Sequence, residues 1–202
     1  MMAGTSGPQG SPGPLGPREF QLVLLRRLAD FQPDLAQDAR ISMGVSLTAM
    51  RDVNRRWQAM VRSPRARGAA ERYLSVLGPP ESVVRRQIGD LECEALLWPV
   101  PLWPDLRFEA MRGPDGRVWN EWLVRAPGAP GPVLETADDL RPWSATVDEV
   151  ARAFGPVRMR DSGTPHRSRL EVTLPGGERR VAEFTWGLLD GLSAARPEGE
   201  AP

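Results

Sequence analysis

Hydrophobic positions follow a helical period in the first third of the chain and alternate with polar positions in much of the remainder. In the first third, an i, i+3, i+4, i+8 spacing predicts a helix that begins at Glu19 and ends before Pro33. The apolar face of this helix consists of Phe20, Val23, Leu24 and Leu28. A second helix is predicted over about residues 35–41, with Asp34 as its cap. The front of the chain is therefore predicted to be helical.

A third helix is predicted from Ser46, its N-cap, to about Val61. Its inner face consists of Met50, Val53, Trp57, Met60 and Val61. On a wheel of 3.6 residues per turn, the opposite side gathers Thr48, Arg51, Arg55 and Arg62. This helix is predicted to be amphipathic, with a cationic outer stripe.

After residue 68 the pattern changes to a helix followed by alternating segments, and this order occurs twice. The first series has a helix over 69–77, a Gly-Pro pair, strands over 91–97 and 106–111, a turn over 113–116 and a strand over 117–124. The second series has a helix over 144–154, a Gly-Pro pair, a strand over 169–174, a turn over 175–177 and a strand over 181–186. Alternation bounded by glycine turns is typical of antiparallel hairpins.

Together these elements predict an α+β fold: an N-terminal helical unit, then an antiparallel sheet with two packed helices in a loose tandem helix-hairpin repeat. The predicted units are a disordered Gly/Pro tail over 1–17, a basic helical unit over 18–63, an α+β domain over 69–190 and a disordered tail over 191–202. Within the α+β domain, the repeat halves are 69–125 and 144–189.

The order of elements over about residues 70–188 resembles the helix-then-meander repeat of the outer-membrane assembly lipoproteins and of secreted β-lactamase inhibitory proteins. The likeness is carried by the Gly78-Pro79 pair after a helix and by the Gly-Arg-Val hairpin that begins at Gly116. This resemblance implies a fold of paired helix–meander units. A shared fold does not by itself imply a shared function.

Charge is distributed unevenly along the chain, although the net charge is zero. Residues 1–67 hold ten arginines and five acidic residues, whereas residues 68–202 hold sixteen arginines and twenty-one acidic residues. All 26 cationic residues are arginines, which we attribute to a GC-rich genome, so only their distribution is informative. The basic front favours a phosphate-bearing partner. The acidic rear would serve self-association, a protein partner or an effector.

The segment over residues 43–57 resembles the turn and recognition helix of bacterial helix-turn-helix regulators. Gly44 would supply the left-handed turn between two helices, and Ser46 would cap the second helix. Val45, Met50 and Val53 would fill the small core beneath them.

The resemblance implies a DNA-binding face of seven residues: Ser46, Leu47, Thr48, Arg51, Arg55, Arg56 and Arg62. Residues 47, 48 and 51 would lie nearest the base edges, and the later arginines would contact phosphates. The alternative is an ordinary helical hairpin with a solvated arginine face. The predicted function is that of a non-enzymatic bacterial DNA-binding or regulatory protein, with duplex DNA as its partner.

An alternative function, a protein-interaction module that does not bind nucleic acid, depends on the tryptophans of the β region. Trp98 and Trp103 lie in a proline-rich segment that is unsuited to a central strand. If exposed, their rings would form a partner-binding patch or cap a sheet edge; if buried, they would complete the core. Trp119 and Trp122 fall on opposite faces of their strand.

Enzymatic chemistry has little support in the sequence, and no catalytic residue, cofactor or metal site is predicted. The single histidine, His166, lies in a loop where a solvated side chain is expected, and Cys93 falls on the apolar side of a strand, where an inert thiol is expected. The catalytic alternatives are a Cys93–His166 pair or two carboxylates on one sheet face. The candidate carboxylates are Glu92, Glu94, Glu109, Glu121, Glu171 and Glu183, most of them expected on a solvated face.

The expected compartment is the cytoplasm, with no membrane as a partner. The chain has one cysteine, no apolar run of membrane-spanning length and no segment with the pattern of a signal peptide.

Overall fold

The computed structural model describes residues 13–63, 68–160 and 162–195. Within these ranges, five α-helices and two four-stranded antiparallel sheets form an α+β fold. The helices are α1 (Pro17–Leu28), α2 (Pro33–Ser42), α3 (Leu47–Arg62), α4 (Ala69–Leu77) and α5 (Val147–Ala153). None of the helices in these ranges combines the length and the apolar character that a membrane span requires.

The first sheet contains β1 (Ser82–Ile88), β2 (Leu91–Pro99), β3 (Leu106–Arg112) and β4 (Val118–Arg125). The second sheet contains β5 (Arg158–Arg160), β6 (Arg167–Thr173), β7 (Arg179–Thr185) and β8 (Leu188–Ala194). In both sheets the strands lie side by side in chain order. We refer to α4 with the first sheet as the first unit and to α5 with the second sheet as the second unit. The predicted tandem arrangement of helix and hairpins is thus present, as two separate sheets.

Three strands were not predicted from the sequence. Almost every residue of β1 is exposed, so its sequence does not alternate, and β5 has only three residues. The strand β8 contains Gly191 and pairs with β7 as far as Ala194. The C-terminal tail predicted over 191–202 is therefore wrong for residues 191–194. The N-terminal tail predicted over 1–17 is likewise wrong at its end, because Leu15 packs against the core and Pro17 begins α1. Tail residues 1–12 and 196–202 lie outside the described part of the chain.

One hydrophobic core joins the first four helices to the first sheet. At its centre, the Phe108 ring lies 4.8 Å, centroid to centroid, from the rings of both Phe20 and Tyr73. Every residue from Phe20 to Leu25 is buried, so α1 has neighbours on several sides. The segment predicted as a basic helical unit over 18–63 therefore shares its core with the sheet.

A smaller core lies between α5 and the second sheet, and it consists largely of aliphatic residues with Phe154 and Phe184. The two units meet where Trp186 and Gly187 approach the outer strand β4. The Leu123 amide donates to the Trp186 carbonyl of the second unit at 2.7 Å, and within the second unit the Val147 amide donates to the Gly187 carbonyl at 3.1 Å. A Cβ atom on Gly187, whose φ is +77°, would lie 2.9 Å from the Leu123 carbonyl oxygen. Glycine permits this close approach.

Candidate functional site

Two regions of the molecule present chemistry that the core does not use: the outer face of α3 and a cleft between the two units. The α3 face begins at a turn in which Gly44 has a φ of +65°. Ser46 caps the helix, because its Oγ accepts from the Ala49 amide at 3.1 Å. The predicted turn and cap are both present.

The structure divides the residues of α3 between a buried side and an exposed side. Met50, Val53 and Trp57 are buried. Six of the seven residues predicted to bind DNA are exposed, namely Ser46, Leu47, Thr48, Arg51, Arg55 and Arg62. The seventh, Arg56, is partly buried and its guanidinium donates to the Gly13 carbonyl. The cationic stripe predicted from the helical wheel therefore lies at the surface.

The arginines of this face differ in their partners. Arg55 forms an ion pair with Asp52 one turn earlier, although 76% of the Arg55 side chain is exposed. Neither Arg51 nor Arg62 forms an ion pair with any residue in the described ranges. Arg40 on α2 crosses the turn and donates to the Val45 carbonyl at 2.5 Å. The turn is thus held by a side chain, and two cations remain available to an anionic partner.

The two tryptophans predicted to bind a protein partner occupy different environments. Trp98 is 1% exposed, and its Nε1 donates to the Gly78 carbonyl at 2.9 Å, so its ring is not available to a partner. Trp103 is half-buried and packs edge-on against Trp143 at 5.7 Å. Trp119 and Trp122 do face different environments: Trp119 is 45% exposed, whereas Trp122 donates from Nε1 to Glu109 at 3.0 Å.

The cleft lies where α1, α3 and α4 approach β4 and the loop that contains His166. Its volume is about 410 Å³. The residues that line it are Val23, Arg26, Arg27, Asp30, Asn54, Trp57, Gln58, Val61, Arg72, Tyr73, Glu121, Pro165, His166 and Trp186. Eight of these fourteen residues carry a charged, amide or imidazole side chain, so the cleft combines aromatic and aliphatic surface with many hydrogen-bonding groups.

His166 and Trp186 form one wall of the cleft in unusual backbone conformations. Their φ angles are +61° and +51°, in the left-handed region that residues other than glycine seldom adopt. The two rings stack at 3.7 Å between centroids, and the Trp186 amide donates to the His166 carbonyl at 2.8 Å. The buried indole Nε1 of Trp186 has no hydrogen-bond partner in the described protein. Backbone strain of this kind is concentrated at functional sites.

Three titratable groups meet in the cleft, and burial shifts the pKa of each. Burial, and then the charge of Arg27, lower the pKa of His166 to about 4, so its imidazole is neutral at pH 7. Burial raises the pKa of Glu121, against the opposing effect of a hydrogen bond from the Tyr73 hydroxyl and of the Arg72 charge. Burial and the Glu121 carboxyl raise the pKa of Tyr73 well above its usual value. His166 Nδ1 lies 3.4 Å from Glu121 Oε2.

The structure corrects the expectation about two of the strand glutamates and adds a contact at His166. The His166 side chain remains 34% exposed, and the left-handed turn at this residue stacks its ring on Trp186. Glu109 and Glu171 are buried, since arginines pair with them: Arg86 lies 2.8 Å from Glu109, and Arg160 lies 2.6 Å from Glu171. The solvated face predicted for these two glutamates is therefore wrong.

The catalytic pair of Cys93 and His166 is not formed. Cys93 is buried on the face of β2 opposite to Leu96, which packs toward the helices, whereas His166 lines the cleft on the helical side. In the ranges that the structure describes, no group of three or more potential ligands could hold a metal ion.

Sequence reasoning did not identify the cleft, because its members are far apart in the chain. Arg27, Tyr73 and Trp186 belong to three different elements and none forms a motif with its sequence neighbours. The sequence contains only a weak indication of the cleft. His166 follows a proline and Trp186 precedes a glycine, and both dipeptides are typical of sharp turns.

Comparison with protein-family models finds no match, and neither the curated proteins nor the solved structures yield a significant match.

Proposed function

We propose that this chain binds duplex DNA through the exposed face of α3, as a cytoplasmic bacterial regulatory protein. The observation that carries this proposal is the asymmetry of α3. Met50, Val53 and Trp57 anchor one side of the helix in the core, while the opposite side presents Thr48 and exposed arginines. A recognition helix needs a rigid support and a free face with hydrogen-bond donors.

The positions along α3 favour a division of roles. Leu47 and Thr48 stand at the helix N-terminus, where a recognition helix approaches base edges, and Arg51 follows one turn later on the same face. Arg55 and Arg62 lie farther along, where contact with phosphates is expected. Arg56 is the weakest member of the set, since it is partly buried and already bonded.

The test is fluorescence anisotropy of a labelled random-sequence duplex, titrated with the full chain at several salt concentrations. The triple variant Arg51→Ala/Arg55→Ala/Arg62→Ala is expected to bind more weakly. It should also reduce the slope of log K against log salt by about one unit for each phosphate that the variant no longer neutralises.

A matched control variant removes three arginines that lie outside α3. Arg85, Arg117 and Arg180 lie outside α3, on or beside strands of the two sheets, with side chains exposed by 78%, 85% and 38%. The variant Arg85→Ala/Arg117→Ala/Arg180→Ala should bind DNA like the wild type. Equal weakening by the two triple variants, or no binding at low salt, would rule out α3 as the DNA-binding element.

Self-association through the β region is a second candidate function, and one observation favours it. The edge strand β1 and the hairpin that it forms with β2 expose four large apolar side chains: Val83, Val84, Ile88 and Leu91. An exposed apolar edge strand is a template for pairing with another strand. Sedimentation velocity of the wild type and of Val83→Lys/Ile88→Lys tests this candidate. A dimer that the substitutions dissociate is expected, and a concentration-independent monomer would exclude it.

A further inference from the structure

The charge balance of the cleft favours an anionic ligand. Arg26, Arg27 and Arg72 line it together with only two acidic residues, Asp30 and Glu121. Arg26 and Arg27 share the single carboxylate of Asp30, at 2.5 and 3.3 Å. One carboxylate cannot neutralise two guanidinium groups, so a net positive charge remains at the mouth of the cleft.

The walls of the cleft favour a ligand with a flat apolar body. Val23 and Val61 supply aliphatic surface on two helices, and the small exposed parts of Trp57 and Trp186, which are 5% and 3% exposed, supply aromatic surface. The amides of Asn54 and Gln58 on α3 add neutral hydrogen-bonding groups. A ring between such walls gains apolar burial and aromatic contact, while the amides can fix its orientation.

The wall formed by His166 and Trp186 is held in place by its backbone and by a neighbouring carboxyl group. The stacked pair of His166 and Trp186 holds two left-handed backbone conformations, and each costs free energy that the surrounding structure must supply. Glu121 stands beside this pair, with its carboxyl 3.4 Å from His166 and hydrogen-bonded to Tyr73. A rigid wall of this kind keeps the cleft open without a ligand and preorganises it for one.

We propose that the cleft binds a small aromatic carboxylate, whose ring packs against the Trp186 side and whose carboxylate pairs with Arg27. This binding activity goes beyond DNA binding and does not rest on it. Arg27 is the expected partner, because its side chain is 34% exposed and its charge is close enough to His166 to lower the pKa of that residue. A guanidinium offers paired donors in the geometry that a carboxylate requires.

The test is isothermal titration of the full chain with indole-3-acetate, using tryptamine as the matched cation with the same ring system. Indole-3-acetate is expected to bind at one site, and tryptamine to bind about tenfold more weakly or not at all. Absence of binding by indole-3-acetate at millimolar concentration, or equal binding of the two compounds, would overturn the proposal.

Two variants test whether indole-3-acetate binds in the cleft, and a third serves as a control. Arg27→Gln is expected to weaken indole-3-acetate binding about tenfold or more, because it removes the charged partner. Gln58→Trp leaves every charge in place and fills the cleft, so it should abolish binding. Arg85→Gln, on the first sheet, should bind like the wild type, since its side chain lies outside the cleft.

The resonance of the Trp186 indole N–H, assigned with Trp186→Phe, gives a readout that does not depend on affinity. This N–H has no partner in the described protein, and the ring lines the cleft, so its shift should move on addition of indole-3-acetate. Binding that neither cleft variant weakens, or that leaves this resonance unmoved, would place the ligand elsewhere and contradict the proposal.

Discussion

The two helix–meander units share a strand order but differ in what covers their sheets. The first sheet packs against α1, α3 and α4 through a cluster of aromatic rings, which includes Phe20, Trp57, Tyr73, Trp98 and Phe108. Of the five described helices, only α5 contributes to the core of the second sheet, which is mainly aliphatic and is completed by Trp122 and by loop residues such as Leu134 and Leu140. The difference shows that a repeated topology does not produce repeated surroundings.

The residues with unusual chemistry lie at the boundary between the units rather than inside either one. Tyr73 and Glu121 come from the first unit, His166 and Trp186 from the second, and Arg27 from the added helices. Each alone is ordinary in its own element. Burial and strain arise because the elements meet, and for this reason the comparison of the units points to their junction.

The largest effect is expected from removing the aromatic centre of the first unit. Phe108→Ala should lower the free energy of unfolding by about 3–5 kcal/mol, since the ring is buried and contacts four other aromatic rings. Phe184→Ala in the second unit should cost less, because its ring is buried among aliphatic side chains. Urea unfolding, with the exposed Val133→Ala as control, measures both. A larger loss for Phe184→Ala would contradict the proposed difference.

A smaller effect is expected at the junction. Gly187→Ala would place Cβ 2.9 Å from the Leu123 carbonyl oxygen and in a left-handed conformation, which together should cost about 2 kcal/mol or more. Gly116→Ala is the matched control, because its φ is also +77° and no atom lies within 4 Å of the added carbon. Thermal unfolding of both variants separates the contact from the backbone strain. Equal losses of stability in the two variants would mean that the added Cβ atom at residue 187 does not clash with β4.

The smallest effect concerns pH, where the partly exposed His166 and the buried Asp190 act in opposite directions. Burial and Arg27 lower the pKa of His166 to about 4, so between pH 6.5 and 4 the unfolded chain takes up a proton that the folded protein does not. Acidification then destabilises the fold. Burial raises the pKa of Asp190 to about 6, despite the hydrogen bond from Thr185, so the folded protein takes up a proton first between pH 6 and 3.8. Acidification across that window stabilises the fold.

Removing either His166 or Asp190 should therefore reveal the effect of the other on the pH dependence of the free energy of unfolding. Relative to the wild type, Asp190→Asn should lose stability more steeply between pH 6 and 4, and His166→Asn less steeply. The differences should be on the order of 1 kcal/mol at most, because solvent screens the partly exposed His166. Urea unfolding of the three proteins at matched pH values gives these differences, since all other titrations are common to them. Parallel curves would show that neither group titrates abnormally.

The sequence was sufficient for elements whose pattern is local. The face of α3, its Ser46 cap and the Gly44 turn follow from helical spacing and from residue preferences at helix ends. The α+β class and the doubled order of elements follow from the same reasoning. Edge strands such as β1 were missed, because a strand exposed on both sides carries no alternation.

The cleft could not be predicted, because its properties are tertiary. The left-handed conformation at Trp186 has no local cause, since a bulky aromatic residue does not favour it. The buried state of Glu109 likewise depends on Arg86 from a different strand. Sequence reasoning identified Trp98 as unusual but could not decide between core and surface, and the structure places it in the core.

The buried thiol of Cys93 provides a native probe of how often the first sheet opens. It is the only cysteine in the chain, it is 1% exposed, and it lies within β2 between β1 and β3. A maleimide can reach it only when β1 or its neighbours detach, so the rate of labelling measures how often this sheet opens. Because no cysteine has to be introduced or removed, the opening rate of the edge strand can be followed in the unaltered protein.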